Sequence, residues 1–163
     1  MMTTHVRHMI RRDLPAVLQI EEEAFEFPWS ENDFVRCLRQ RNCIGMVAEW
    51  DNEPLGFMLY EIHSNRLHLL NFAVAEDSRR FGIGSAMIYR LLDKLSGNRR
   101  NRIMLEVRDS NLNAQLFFKA MGFKAISVLR DFYDDPAAER WVKENIPNAK
   151  ISKFSGDDGW FEA

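Results

Sequence analysis

The sequence predicts an α/β domain built on a sheet of mixed direction. Two observations carry this. Three neighbouring β-rich runs, Ile44–Trp50, Leu55–His63 and Leu67–Val74, are joined by short polar links, which is the grammar of an antiparallel meander. After Val74 the pattern changes to helix–strand–helix–strand, with Gly82-Ile83-Gly84 opening the first of these helices. A strand reached through a crossover helix pairs in parallel, so the sheet combines a meander with a parallel pair.

The elements follow in order. Val6–Arg11 reads as a first strand. Asp13 is placed to cap a helix starting at Leu14–Pro15, where Pro tolerates the first turn. Leu14, Val17, Leu18, Glu21, Ala24 and Phe25 recur at helical spacing and give this helix one apolar stripe. Ser30 with Asp33 forms a capping box, with Asp in place of the usual Glu, opening a second helix over 31–39. Asp51-Asn52-Glu53-Pro54 has the turn chemistry of a hairpin between the first two runs of the meander. Ile83, Met87, Ile88, Leu91, Leu92 and Leu95 share one face of the Gly-opened helix, which Ser96-Gly97-Asn98 stops. Ile103–Val107 is a short buried-type strand. Asn113–Ala120 is a helix with Gly122 at its C-terminal cap, and Phe123–Leu129 is a final clear strand.

Composition excludes several classes. The chain has 163 residues, 46% of them apolar and 28% charged, with a formal net charge of −2. That length supports one domain with a core of its own, without disulfides or metal. The absence of an excess of Lys and Arg speaks against direct nucleic-acid binding. Cys37 and Cys43 lie outside any CxxC pair and have no His at zinc spacing, as expected of two reduced thiols and no metal centre. No run approaches the ~20 apolar residues of a membrane span, and residues 1–12 lack the apolar core of a signal peptide. The expectation is a soluble, cytoplasmic protein without membrane contact.

The turn at Gly82 carries the chemistry. A Gly-rich turn at a helix start gathers backbone N–H groups around one point, and the helix dipole reinforces them, so an anion such as pyrophosphate fits there. A Walker A loop is excluded, because Gly84-Ser85-Ala86 stands where Gly-Lys-Ser/Thr is needed. The dinucleotide pattern G-x-G-x-x-G fails at Met87, and this turn follows a meander rather than opening the chain's first βαβ unit. A turn that only helps the helix to pack is the remaining alternative for the turn taken alone.

The turn does not stand alone. Arg79-x-x-Gly82-x-Gly84 resembles the acetyl-coenzyme A signature, Gln/Arg-x-x-Gly-x-Gly/Ala, of the Gcn5-related N-acetyltransferase (GNAT) family. The resemblance runs on through Ile20-Glu21, Ala24-Phe25 and Phe27-Pro28-Trp29-Ser30-Glu31. It continues through Asn71-Phe72-Ala73-Val74, Leu105-Glu106-Val107-Arg108-Asp109-Ser110-Asn111, Phe117–Phe123 and Arg130-Asp131-Phe132-Tyr133. In this order the blocks resemble the ribosomal-protein-alanine N-acetyltransferases (RimI type), over residues 6–133. The Gly turn marks only the superfamily, whereas the Phe-Pro-Trp-Ser-Glu and Leu-Glu-Val-Arg-x-Ser-Asn blocks mark the branch that acetylates protein N-termini.

The resemblance implies the GNAT fold. That fold has a mixed, mostly antiparallel sheet with a splayed parallel pair at the cofactor cleft, flanked by about four helices. It implies that acetyl-CoA is the cosubstrate and that no metal takes part. The backbone of Phe72, Ala73 and Val74 would pair with the pantetheine arm and point an N–H at the thioester carbonyl. Arg79 opens the signature, and Arg80, Phe81, Gly82, Ile83, Gly84 and Ser85 would hold the pyrophosphate. Asn111 would hydrogen-bond the pantetheine. Glu106 matches the general base, needed because an α-amino group with pKa ≈ 7.7–8.0 is largely protonated at neutral pH. Phe118 stands where the family has the Tyr that protonates the departing thiolate, and Phe carries no proton to give. Tyr133 is the candidate substitute, and Tyr60 is the other spare phenol. The implied partner is a protein N-terminal peptide, with the N-terminal Ala of a small-subunit ribosomal protein as the substrate most implied. Acetylation of a small amine or a Lys side chain, or a coenzyme A-binding regulatory role with weak activity, are the alternatives.

Several features call for no chemistry. His63 and His68 with Glu61 are expected as solvent-facing strand ends, and Arg99, Arg100, Arg102 and Arg108 as a solvated basic face. Glu21, Glu22, Glu23 and Glu26 are likewise expected to face water. Phe27 and Trp29 sit in a helix-joining loop where they could wall a peptide groove. Residues 134–163 fit no family pattern. They carry 4 basic and 7 acidic residues, against 18 and 17 in the transferase-like portion 1–133. A helix after Asp135-Pro136, a short strand near 150–154 and a turn over 156–159 are expected. The tail is expected to pack on the domain over its open sheet edge, or on a second copy in a homodimer.

Overall fold

The computed structural model describes residues 4–79, 81–95, 103–108, 112–129, 150–152 and 158–162. The chain forms two compact units, Met1–Asn101 and Arg102–Ala163.

The first unit is an antiparallel sheet of β1 (His5–His8), β2 (Cys43–Trp50), β3 (Glu53–Ile62) and β4 (Leu67–Val74), in that spatial order. Asp51 and Asn52 close the β2–β3 hairpin with φ of 52° and 64°, the left-handed pair that a two-residue turn matched to strand twist requires. Helix α1 (Leu14–Ala24) and helix α2 (Glu31–Leu38) cover one face of this sheet. Their residues Leu14, Val17, Ile20, Phe34 and Cys37 pack with Val47, Phe57 and Leu59. Helix α3 (Ile83–Leu92) lies against the other face and buries Ile83, Met87, Ile88 and Leu91. Two glycines admit these helices. A Cβ on Gly45 would meet Leu38 Cδ2 at 2.8 Å, and one on Gly56 would meet Met87 Cε at 3.0 Å. With both faces covered, the centres of β2 and β3 are continuously buried rather than alternating.

Helix α2 starts as its capping box predicts. Ser30 Oγ accepts from the Asp33 amide at 3.2 Å and the Asp33 carboxylate accepts from the Ser30 amide at 2.8 Å. Asp13 behaves differently from expectation. Its own backbone is helical, it makes no side-chain cap on α1, and a 3-10 turn over Arg11–Asp13 precedes the helix. Its carboxylate turns back to the Ile10 amide (2.8 Å) and takes two bonds from the Arg7 guanidinium (2.8 Å each), which fastens β1 to the start of α1.

The second unit holds β5 (Ile103–Arg108), α4 (Leu112–Ala120), β6 (Lys124–Leu129), β7 (Lys150–Ser152) and β8 (Asp158–Glu162). Its strands lie in the order β5-β8-β6-β7. β8 is antiparallel to both neighbours, with Leu105 and Ala125 both opposite Phe161, and β7 runs parallel to the outer side of β6. The turn expected over 156–159 therefore yields at Asp158-Gly159 to a strand held on both sides. The expected helix after Asp135-Pro136 lies outside the described residues. Helix α4 ends in a Schellman motif: Phe123 N–H donates to Phe118 C=O (2.9 Å), Gly122 N–H to Lys119 C=O (3.1 Å), and Gly122 takes φ of +94°. The Phe118 and Phe123 rings meet edge-to-face at 5.4 Å, the apolar contact that accompanies this motif.

Candidate active site

The expected cofactor residues of the first unit fall on two adjoining pieces, the end of β4 and the start of α3. A register shift in the β3–β4 ladder inserts Leu70 as an extra residue: Tyr60 faces Leu69, while Leu59 faces Asn71. Such a bulge re-aims the strand beyond it. Past the bulge, Ala73 faces Phe57, and the Ala75 amide donates to Leu55 C=O at 2.8 Å. By the alternation of an antiparallel ladder, Phe72 and Val74 then turn their peptide groups away from β3.

A 3-10 turn over Glu76–Ser78 leads from β4 to the Gly turn. Arg79 Nε donates back to Val74 C=O at 3.4 Å, tying the turn to the strand end. Gly82 is the N-cap of α3, in the left-handed conformation with φ of 79°, and no side chain caps the helix. The Ala86 amide is the first to reach a carbonyl of the helix, Gly82 C=O at 3.0 Å. The amides of Ile83, Gly84 and Ser85 have no intrahelical acceptor and converge at the positive end of the helix. Among the described residues a Cβ at Gly82 would meet nothing within 4 Å, which leaves room at the turn for an incoming group. Phe81 is 58% exposed beside it. These features fit the pyrophosphate of coenzyme A. Gly82→Ala should cost about 1 kcal/mol of stability through its positive φ. It should weaken coenzyme A binding at least about tenfold by crowding the phosphate. Thermal unfolding and titration calorimetry measure the two separately, and an unchanged affinity would remove Gly82 from the cofactor site.

Glu21 corrects the expectation of a solvated acidic face. Glu22, Glu23 and Glu26 are exposed, but Glu21 is only 2% exposed. Its Oε1 accepts from the Trp29 amide at 3.0 Å and its Oε2 from the Asn71 side-chain amide at 2.8 Å. Burial pushes the Glu21 carboxyl above its usual range, and these two donors pull it part of the way back. Asn71 Oδ1 accepts in turn from the Phe72 amide at 2.9 Å. Sequence reasoning assigned neither residue to the site. The signal was Glu21's place on the apolar stripe of α1. Of the two loop aromatics, Trp29 packs on Phe34 (ring centroids 5.3 Å apart) as part of the core, whereas Phe27 is 68% exposed and could line a groove.

In the second unit, Glu106 lies in β5 opposite Trp160. Phe118 is 4% exposed and packs edge-to-face on both Phe117 and Phe123. Arg80, Asn111 and Tyr133 lie outside the described residues, as do Arg99, Arg100 and Arg102 of the basic patch. Tyr60 is buried in β3, and burial pushes its phenol up.

Cys37 and Cys43 are free and buried, with their sulfur atoms 2.8 Å apart. Burial pushes both thiols up, the opposite of what an acyl-carrying Cys needs. Glu61, His63 and His68 do converge: Glu61 Oε1 lies 3.6 Å from His63 Nε2 and 3.5 Å from His68 Nδ1. All three are half-buried rather than fully solvent-facing. Burial holds His68 below its usual range, and the Glu61 charge opposes this.

Comparison with known proteins agrees with the expected fold. Residues 14–123 match the model of the acetyltransferase (GNAT) family. The chain is 32% identical over 121 residues to the [ribosomal protein bS18]-alanine N-acetyltransferase of Salmonella typhimurium, covering 74% of this chain and 81% of that protein. It is also 32% identical over 148 residues to an uncharacterized N-acetyltransferase of Methanocaldococcus jannaschii, covering 89% and 94%. The crystal structure of the ribosomal-protein-S18-alanine N-acetyltransferase from Escherichia coli superposes with a TM-score of 0.73 at 24% identity, covering 98% of this chain and 91% of that one.

Proposed function

Because the chain belongs to the GNAT acetyltransferase family, we propose that it transfers the acetyl group of acetyl-CoA to the α-amino group of a protein N-terminus. Transfer is direct, within a complex that holds both substrates. The observation that carries this reading is the bulged end of β4 set beside the uncapped start of α3. One turns alternate backbone groups away from β3, where an extended arm would lie, and the other gathers amides for its phosphates. The two buried, raised thiols support direct transfer over an acyl-Cys route.

The activated acetyl group comes from the thioester, and the chain supplies binding, orientation and proton transfer. Glu106 takes the proton from the ammonium of the acceptor, directly or through a water. Phe118 has no proton to return, so the thiolate leaves unassisted or is served by Tyr133. With a thiol pKa near 8.5, an unprotonated thiolate costs little. The N-terminal Ala of a small-subunit ribosomal protein is the acceptor, in keeping with the substrate in the name of the Salmonella relative. Reduced Cys37 and Cys43 fit a cytoplasmic setting. Among the described residues no helix is long and apolar enough to cross a membrane.

The test is thiol release from acetyl-CoA with a peptide that starts with Ala. The expected result is turnover with the free N-terminus and none when the same peptide is N-blocked but keeps its Lys side chains. Turnover on the blocked peptide would move the acceptor to Lys. Coenzyme A binding without thiol release from any amine would leave a regulatory binding module.

A further inference from the structure

Glu21 spends a buried charge where an apolar side chain would complete the stripe of α1, and burying a charge is costly unless it is fully engaged. What it engages lies on two other elements. One oxygen holds the Trp29 amide in the loop between α1 and α2, and the other holds the Asn71 carboxamide just past the β4 bulge. A carboxylate only accepts, so the nitrogen of Asn71 must face Glu21. The carboxamide oxygen is thereby aimed the other way, onto the Phe72 amide. Turning the carboxamide over would set acceptor against acceptor at Glu21 and donor against donor at Phe72. The charge on α1 thus dictates the orientation of a side chain on β4, and that side chain dictates the direction of one backbone N–H.

Phe72 is one of the three residues, with Ala73 and Val74, whose backbone would meet the pantetheine arm and its thioester carbonyl, and its N–H is turned away from β3. We propose that Glu21 and Asn71 are positioning residues for acyl transfer. Asn71 Oδ1 fixes the direction of the Phe72 N–H, and the acetyl carbonyl binds as a second acceptor on it. Glu21 locks Asn71 and, through the Trp29 amide, couples that donor to the loop carrying Phe27. One N–H can be shared between two acceptors, as it often is at helix termini. Neither side chain touches the substrate. The inference rests on the transferase reading above.

Free coenzyme A lacks the acyl carbonyl, and this makes the idea testable. In the wild-type protein, the Phe72 amide resonance should shift more with acetyl-CoA than with coenzyme A. Asn71→Ala and Glu21→Gln should each lower kcat about tenfold or more, within what losing an oxyanion donor costs, while coenzyme A affinity stays within about threefold. An unchanged kcat, or a fall in coenzyme A affinity and thermal stability at undiminished kcat, would make the pair merely structural. Should Asn71→Ala not fold, the wild-type amide comparison decides by itself: equal shifts with the two ligands overturn the proposal. Failure of the transferase reading looks different, as coenzyme A binding with no acetyl transfer to any amine.

Discussion

Replacing Glu106 with Gln should lower kcat/KM for an Ala-starting peptide by about 10²- to 10⁴-fold near pH 7. Gln keeps the shape of the side chain and its place in β5 opposite Trp160, but it cannot take a proton. The pH dependence carries the sharper information. Without a base, the variant must wait for acceptor that is already neutral. Its rate should then climb close to tenfold per pH unit until the α-amino pKa of about 7.7–8.0 is passed. The gap to the wild type should be widest at neutral pH and should close as the solution becomes alkaline. A variant with the wild-type profile would show that Glu106 takes no part in proton transfer.

The second large effect is on stability. Asp13→Ala should destabilise the protein by about 2–3 kcal/mol at pH 7, the range for buried hydrogen bonds to a charged group. Asp13 is 3% exposed and accepts from two guanidinium nitrogens of Arg7 and from the Ile10 amide. Arg7 is not orphaned by the change, since its Nε also meets Glu49 Oε2 at 3.0 Å, and this keeps the loss below that of a fully isolated buried charge. Burial pushes the Asp13 carboxyl up, but Arg7 and the Ile10 amide pull it further down, to a net value below its usual range. A carboxyl lowered on folding stabilises above its unfolded pKa, near 3.9, and loses that contribution as pH falls through the folded value. Urea unfolding should therefore separate wild type from variant at pH 7 and bring them together in acid. An equal gap at both pH values would mean that the carboxylate's charge is not what holds β1 to α1.

What the sequence disclosed was local. Ser30 and Asp33 sit three positions apart and satisfy each other without outside help, so their pattern could be read directly. Asp51-Asn52 likewise carries its turn in its own backbone preferences. Gly82 announced the helix start because a residue without a Cβ has few other reasons to stand before Ile83. The misreadings share one cause, a partner outside the element being read. Asp13 looked like a cap because its helix was next to it, but Arg7 and Ile10 compete for the same oxygens and win. Glu21 looked like one of four surface acids because its partner Asn71 lies 50 positions away. Asp158-Gly159 has turn chemistry, and only the strands on its two sides override it. Phe118 was legible as a departure from the family Tyr, but not as the inner residue of a Schellman motif, which depends on how Phe123 folds back.

The place of β8 bears on the order in which the protein can assemble. The β2–β3–β4 meander and its helices join neighbours in sequence, so the first unit can collapse from local pairings soon after it is made. In the second unit, β5 and β6 are each bonded to β8, which among the described strands is synthesised after all the others. Until that strand arrives, both carry a row of unbridged backbone groups, and closing the loop to it is slow because the partners are distant along the chain. The second unit is thus the stage at which a nascent or heated chain is exposed to wrong pairing, and where a chaperone or a premature stop codon would leave its mark.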